Sequence, residues 1–137
     1  MGYCTRFNEK YSGSIYVVFR VLVGLLFLQH GGQKLFGWFG GLGGSTAPLF
    51  SLMGLAGVIE FVGGLALVLG LFTRLVATIT ATEMLVAFFK AHFPQTWVPV
   101  LNQGEPALLF FAAFLVLIIY GSGKWSLEQA LFKKETF

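Results

Sequence analysis

Three ionisable residues lie inside long apolar stretches of this sequence, where a charge is costly. Arg20, Glu60 and Glu83 interrupt segments that otherwise consist mostly of apolar residues and glycine. A charge in hydrocarbon needs a partner or a cavity. A guanidinium binds one carboxylate through two hydrogen bonds, which leaves a second carboxylate uncompensated and able to carry a proton. The three residues therefore predict a proton relay or charge network, or else a buried pair that only fixes helix packing.

A second polar group lies toward the opposite ends of the same segments. Its members are His30, Lys34, Lys90, His92 and Glu105, with Gln33 and Asn102 beside them. A ring of the two lysines and two histidines around Glu105 would suit an anionic small molecule or a quinone oxygen. The alternative for each lysine is that its ammonium group reaches the membrane interface. The group predicts a substrate-binding site formed by three helix ends.

Metal, haem and thiol chemistry have weaker support. His30 and His92 are predicted on different helices and could together ligate a haem or a metal. The sequence has no HxxxH, CxxC or ExxH pair on a helix, and a histidine at a helix end more often makes a hydrogen bond, so we predict no metal site and disfavour haem. Cys4 is the sole cysteine, which excludes an internal disulfide and unaided dithiol exchange.

The elements that must position these residues are membrane helices. The chain has 137 residues, of which 56% are hydrophobic and 11% charged, and its mean hydropathy is +0.79. Four apolar spans are predicted at residues 14–36, 50–72, 75–93 and 106–122, and each approaches the length needed to cross a bilayer. Four segments cannot close a barrel. We therefore predict an all-α, up-down-up-down four-helix bundle, with residues 1–137 forming one domain.

Positive charge predicts the orientation of these helices in a cell membrane. The net charge is +3, and most basic residues lie at one end of the predicted bundle: Arg6, Lys10, Arg74, Lys124, Lys133 and Lys134. Such residues favour the cytoplasmic side, so both termini are predicted to be cytoplasmic. No sustained basic face supports nucleic-acid binding.

Small residues predict close packing between helices. They occur in the second span as Gly54, Gly57, Gly63, Gly64 and Gly70, and in the third span as Ala77 and Ala81. Residues without bulky side chains allow helix backbones to approach each other in a membrane.

Three stretches of the sequence resemble the DoxX family of small membrane proteins. They are RVLVGLLFLQHGGQKLFGWFGG from Arg20, IEFVGGLALVLGLFTR from Ile59, and NQGEPALLFFAAFLVLIIYGSGKWSLE from Asn102. The resemblance extends over nearly the whole chain beyond residue 14. Arg20, His30, Lys34, Glu60 and Glu105 match family motif positions, whereas Glu83, Lys90 and His92 come from this sequence alone.

The resemblance implies membrane redox chemistry. DoxX-like proteins include a quinone-reducing subunit of a thiosulfate oxidase and partners of a superoxide dismutase and a sulfur-transfer enzyme. The first hypothesis is thus a membrane subunit that acts with a redox partner on a quinone-like or sulfur-containing molecule, and a homo-oligomer is compatible with it. Whether it is itself an enzyme stays open. The alternative is a non-enzymatic protein for ligand binding, transport or membrane-protein assembly.

Overall fold

Five helices make up the described part of the chain. The computed structural model describes residues 3–133, with side chains from residue 10 onward. The helices are α1 (Tyr3–Phe36), α2 (Leu52–Leu69), α3 (Thr73–Ala87), α4 (Glu105–Tyr120) and α5 (Leu127–Phe132), and no strand occurs within these residues. The side chains of Cys4 and Arg6, and all of Lys134, lie outside the described residues. The all-α bundle prediction is confirmed.

Three helical segments are long and apolar enough to cross a membrane. They are Lys10–Phe36, Leu52–Leu69 and Thr73–His92, whereas α4 is a shorter apolar helix of 16 residues. The third segment includes a π-helical turn, Phe88–His92, that follows α3. The loop end carries the connections 37–51 and 93–104, and the tail end carries the α2–α3 turn and the 121–126 connection.

The helix boundaries differ from the prediction mainly at α1. This helix begins at Tyr3 rather than near residue 14, because no proline stops it before the apolar segment starts. The ends of α2 follow local signals. Ser51 caps its start by accepting a hydrogen bond from the Gly54 amide at 3.0 Å, and Gly70 ends it with a φ of 68°.

Glycine pairs hold α1 and α2 together at two levels. A Cβ added to Gly24 would lie 2.8 Å from the carbonyl oxygen of Gly64, and one added to Gly31 would lie 2.7 Å from that of Gly57. Any side chain at these positions would force the helices apart, so the close approach depends on glycine. The packing predicted for the second span is confirmed here, although Gly70 terminates α2 instead of packing within it.

Aromatic rings, rather than close backbones, join α1 to α4. Phe27 is fully buried and contacts Phe114 edge-on at 4.8 Å and Phe110 at 5.3 Å between ring centroids. By contrast, α3 packs closely on α4, with Ala77 and Ala81 buried on its inner face. The bundle is therefore tight at α1–α2 and α3–α4, and wider where α1 faces α4.

Candidate functional site

Lys34 and Glu60 form an ion pair inside the loop-end half of the bundle. The Lys34 ammonium donates to Glu60 Oε1 across the α1–α2 contact. Glu60 is only 3% exposed, and its second oxygen, Oε2, is buried without a hydrogen-bond partner in the described structure. The pair compensates the buried carboxylate only in part, because one of its two oxygens makes no hydrogen bond.

Glu83 on α3 is the least satisfied polar group of this region. Both of its carboxylate oxygens are buried, and neither has a hydrogen-bond partner among the residues that the structure describes. The carboxylate interacts electrostatically with Glu60 and with Lys34. Glu83 therefore lies near enough to the Lys34–Glu60 pair for their charges to interact, and the three groups carry one net negative charge when all are ionised. These three residues are called the charge cluster below.

Helix geometry explains why the charge cluster lies at one depth. Glu60 is eight residues from the start of α2 at Leu52, which corresponds to about 12 Å of helix. Glu83 lies at a similar distance from His92, the last residue of the third apolar segment. Lys34 is two residues from the end of α1 and reaches inward with its long side chain. The ion pair therefore joins a carboxylate deep in the bundle to a lysine near its end.

His30 lies beside the charge cluster and also lines a small cavity. The cavity has a volume of about 130 Å³ and is lined by Leu26, Gln29, His30, Gln33 and Phe39. Leu26, Gln29 and His30 are exposed on α1, on a surface that would face lipid. The His30 ring also contacts Phe110 of α4 edge-on at 5.6 Å and interacts electrostatically with Lys34. His30 thus connects the cavity with the charged interior.

The connection after α1 shapes the open side of this cavity. Phe39 has a φ of 56°, in the left-handed region, and lies beside Trp38 at a ring distance of 6.4 Å. Trp38 packs over Gly32, where any added Cβ would overlap its indole ring. Gln33 Nε2 donates to the Gly41 carbonyl at 3.2 Å. These contacts hold the connection against α1, with Phe39 over the cavity.

Two lining residues, Gln29 and Phe39, were absent from the predicted site. Gln29 stands four residues before Gln33, a spacing that places both amides on one face of α1, so the sequence did contain a signal. The position of Phe39 depends on the turn at Gly40 and Gly41 and could not be read from spacing.

A larger open cavity of about 560 Å³ lies within the same connection. It is lined by Phe36, Gly37, Gly40, Gly44, Ser45 and Thr46, none of which ionises.

The residues predicted to surround Glu105 differ in their surroundings. Lys90 and Glu105 are exposed, and Glu105 is the first residue of α4, where a negative charge favours the helix dipole. His92 Nδ1 lies 2.9 Å from the Asn102 carbonyl oxygen. Asn102 is buried and donates to the Thr96 carbonyl at 2.6 Å. His92 and Asn102 therefore order the 93–104 connection. Of the five predicted binding residues, Lys34 belongs to the charge cluster, and His30 interacts with Lys34 electrostatically.

Arg20 does not join the carboxylates, contrary to the prediction. It is 1% exposed and lies at the tail end, where its guanidinium donates to the Ser122 carbonyl and, at 3.0 Å, to that of Trp125. A Cβ on Gly70 would lie 2.9 Å from Arg20 Nη1, so Arg20 is level with the end of α2. The predicted charge network therefore divides: Glu60 pairs with Lys34, and Arg20 holds the chain after α4.

A buried carboxylate also contributes to this tail-end structure. Glu128 of α5 is fully buried, and its Oε2 accepts a hydrogen bond from the Phe72 amide at 2.9 Å. Ser126 donates to the Gly70 carbonyl at 2.9 Å. Arg20, Gly70, Phe72, Ser126 and Glu128 are called the tail clasp below. Sequence reasoning missed Glu128 because it lies beyond the last apolar span.

Metal-ligating residues do not gather elsewhere in the described chain. Among the described residues, no group of three or more His, Cys, Asp and Glu side chains could hold a metal ion. His30 and His92 have separate partners, namely Phe110 and the Asn102 carbonyl. The polar chemistry of the loop-end half therefore rests on Lys34, Glu60 and Glu83 together with the cavity at His30.

Comparison with known proteins gives bacterial relatives that align over most of their length. An uncharacterised protein of Haemophilus influenzae is 37% identical over 130 residues, covering 92% of this chain and 97% of the relative. The inner membrane protein YqjF of Escherichia coli is 31% identical over 86% of this chain and 92% of its own length. An uncharacterised membrane protein of Mycobacterium tuberculosis is 31% identical, covering 88% of this chain and 83% of its own length. No solved structure matches significantly.

These relatives and the helices agree on the location and class of the protein. Three candidate spans and relatives described as membrane proteins identify a multi-pass protein of the cell membrane. A family model described as DoxX matches residues 15–93, which include Arg20, the cavity-lining part of α1 and all three members of the charge cluster. The chain belongs to the DoxX family.

Proposed function

We propose that this protein binds a quinone-like small molecule in the loop-end half of the membrane, as the membrane component of a redox system. The observation that carries the proposal is the position of His30. This residue lines a cavity on a lipid-facing surface and interacts with Lys34 of the buried charge cluster. Such an arrangement suits a ligand that arrives through lipid and exchanges protons with the protein.

The lining of the cavity suits an aromatic headgroup with polar substituents. Gln29, His30 and Gln33 supply amide and imidazole groups, and Phe39 supplies a ring that can pack on the ligand. Polar side chains on a lipid-facing helix surface are unfavourable without a partner. A lipophilic molecule with oxygen substituents would satisfy them while keeping its tail in the bilayer.

The charge cluster supplies the proton chemistry that the proposal needs. Oxidation of a quinol releases two protons and two electrons and leaves a quinone. Glu83, whose two oxygens lack hydrogen-bond partners in the described structure, can accept one of these protons at a time and must pass it on before it accepts the second. The electrons pass to a redox centre of a partner protein. Reduction of a quinone uses the same groups in the opposite direction.

The expected orientation would place this site in the outer half of the membrane. Arg74, Lys124 and Lys133 lie at the tail end, and residues of this type favour the cytoplasmic side. Arg74 also donates to the Ile118 and Ile119 carbonyls at 3.0 Å each, so it has a structural role as well. Two single-cysteine variants, Lys133→Cys and Thr46→Cys in a Cys4→Ser background, test the orientation. In intact cells, an impermeant thiol reagent should label the Thr46→Cys protein and not the Lys133→Cys protein.

Binding of ubiquinone-1 to the purified protein in lipid nanodiscs tests the proposal. We expect saturable binding, measured by isothermal titration calorimetry, that His30→Phe weakens about tenfold because the imidazole is lost. The matched control is Lys90→Met, which removes an exposed charge from the same end of the bundle and should leave the affinity unchanged.

The outcomes separate this function from the alternative. If neither ubiquinone-1 nor ubiquinol-1 binds, the proposal is wrong. If binding occurs but the protein never changes the rate of quinone reduction or quinol oxidation with a redox partner, the same cavity serves ligand binding, transport or assembly without electron transfer. In the redox case, Glu83→Gln should abolish the pH dependence of that rate and retain binding.

A further inference from the structure

The two loop-end connections contain no charged residue. Residues 37–51 and 93–104 include no Asp, Glu, Lys or Arg, although the shorter 121–126 connection at the tail end includes Lys124. A connection that runs through water is normally polar, because its side chains have to be solvated. The composition of the loop end therefore suits an apolar environment better than water.

The 93–104 connection exposes its apolar side chains. Trp97 is 76% exposed and Leu101 is 71% exposed, and Phe93 and Val100 are exposed as well. These four residues are called the apolar rim below. Several large apolar side chains exposed within one short connection indicate contact with a membrane or with another protein, because water solvates them poorly.

The polar groups of the same connection turn back onto the chain. Asn102 is 1% exposed, its Nδ2 donates to the Thr96 carbonyl at 2.6 Å, and its Oδ1 accepts from the Gly104 amide at 2.8 Å. Gln95 Nε2 donates to the Ala91 carbonyl at 2.8 Å. Apolar groups thus point outward while polar groups satisfy one another, which is the distribution that a segment needs where little water is available.

The length of α4 identifies lipid as the surface that the apolar rim contacts. This helix has 16 residues, which correspond to about 24 Å, whereas the hydrocarbon core of a bilayer is about 30 Å thick. The 93–104 connection leads directly into the first residue of α4, Glu105. The apolar rim therefore continues the lipid-facing surface of the bundle at the end where α4 is too short to complete it.

We infer that the 93–104 connection lies in the boundary between lipid headgroups and acyl chains, with the apolar rim inserted into the bilayer. The backbone then lies at headgroup level, where water satisfies its polar groups, and only the four side chains enter the hydrocarbon. The indole of Trp97 suits this depth, since it combines an apolar ring with one N–H donor. The connection anchors the start of α4 in the membrane, whether or not the bundle binds a quinone-like ligand.

The fluorescence of Trp97 measures its depth. The double variant Trp38→Phe/Trp125→Phe leaves Trp97 as the sole tryptophan. In vesicles of phosphatidylcholine brominated near the headgroup end of the acyl chain, we expect this protein to lose most of its fluorescence, with a smaller loss when the bromine lies near the chain terminus. Quenching by aqueous iodide instead of by brominated lipid would overturn the inference. Weak quenching by both would also overturn it, because a protein surface would then cover Trp97.

Nitroxide labels at two neighbouring positions provide a matched comparison. Leu101→Cys places a label on the apolar rim, and Glu105→Cys places one at an exposed charged position, both in a Cys4→Ser background. In phosphatidylcholine nanodiscs, the ratio of collisions with oxygen to collisions with a water-soluble nickel chelate should be severalfold higher at position 101, because oxygen concentrates in lipid and the chelate does not. Thermal unfolding verifies that both labelled proteins fold. Equal ratios in two folded proteins contradict insertion of the apolar rim.

Discussion

Both ends of the bundle bury charged side chains, but the two ends differ in how many of those side chains have hydrogen-bond partners. At the tail end, Arg20 donates to backbone carbonyls, and Glu128 accepts from the Phe72 amide. One nitrogen, Arg20 Nε, lacks a partner there. At the loop end, Glu83 has no hydrogen bond in the described structure, and Glu60 uses one oxygen of two. The tail clasp therefore serves folding, whereas the charge cluster retains carboxylate oxygens that are available to a ligand or a proton.

The burial of Arg20 makes it the most sensitive position of the tail clasp. We expect Arg20→Met to lower the free energy of unfolding by about 4 kcal/mol, because the buried Ser122 carbonyl and the part-buried Trp125 carbonyl would lose their donor. Unfolding in a denaturing detergent, monitored by circular dichroism, measures the change. Ubiquinol-1 affinity of the folded fraction should stay within about twofold, as the site lies at the other end of the bundle. Loss of binding in a stable Arg20→Met protein would remove the distinction between the two ends.

Loss of Lys34 should affect both stability and function. Lys34→Met leaves the Glu60 carboxylate buried without its ion-pair partner, at an expected cost of about 3 kcal/mol. The double variant Lys34→Met/Glu60→Met should recover most of this loss, because no buried charge remains. The same unfolding assay applies, with Lys90→Met as the control. If the double variant is no more stable than Lys34→Met alone, the unpaired Glu60 charge does not account for the stability lost in Lys34→Met.

Glu128→Gln should destabilise the tail clasp moderately. The substituted amide oxygen can still accept from the Phe72 amide, but the charged acceptor is lost, for an expected change of about 1 kcal/mol. Proteolysis after residue 120, followed by mass spectrometry, should become faster as α5 leaves the bundle more often. The exposed neighbour Gln129 offers a control as Gln129→Ala. Unchanged cleavage in Glu128→Gln would show that this carboxylate does not hold α5.

Glu83→Gln should have the smallest effect on stability and a large effect on function. The carboxylate makes no hydrogen bond in the described structure, so a neutral side chain of equal shape should change the unfolding free energy by less than about 0.5 kcal/mol, or raise it. Thermal unfolding in nanodiscs measures this change. A loss of about 2 kcal/mol or more would place Glu83 among the structural charges, like those of the tail clasp.

The close packing of α1 and α2 was largely predictable. Gly57 and Gly64 lie in an apolar span, and small residues there indicate a helix contact. Their partners, Gly24 and Gly31, could not be assigned, because the register between two helices depends on the length of the connection between them. The buried Ala77 and Ala81 on α3 likewise fit their predicted packing role.

The sequence by itself determined that the protein is an all-helical membrane protein of the DoxX family, and that Glu60 and Glu83 lie deep within it. Apolar length and residue count are sufficient for these conclusions, since each residue advances a helix by about 1.5 Å. The tertiary structure alone decided which cation meets which carboxylate. Arg20 lies level with Gly70 at the end of α2, whereas Lys34, near the other end of α1, pairs with Glu60. Partner choice depends on helix register and rotation, which side-chain packing sets.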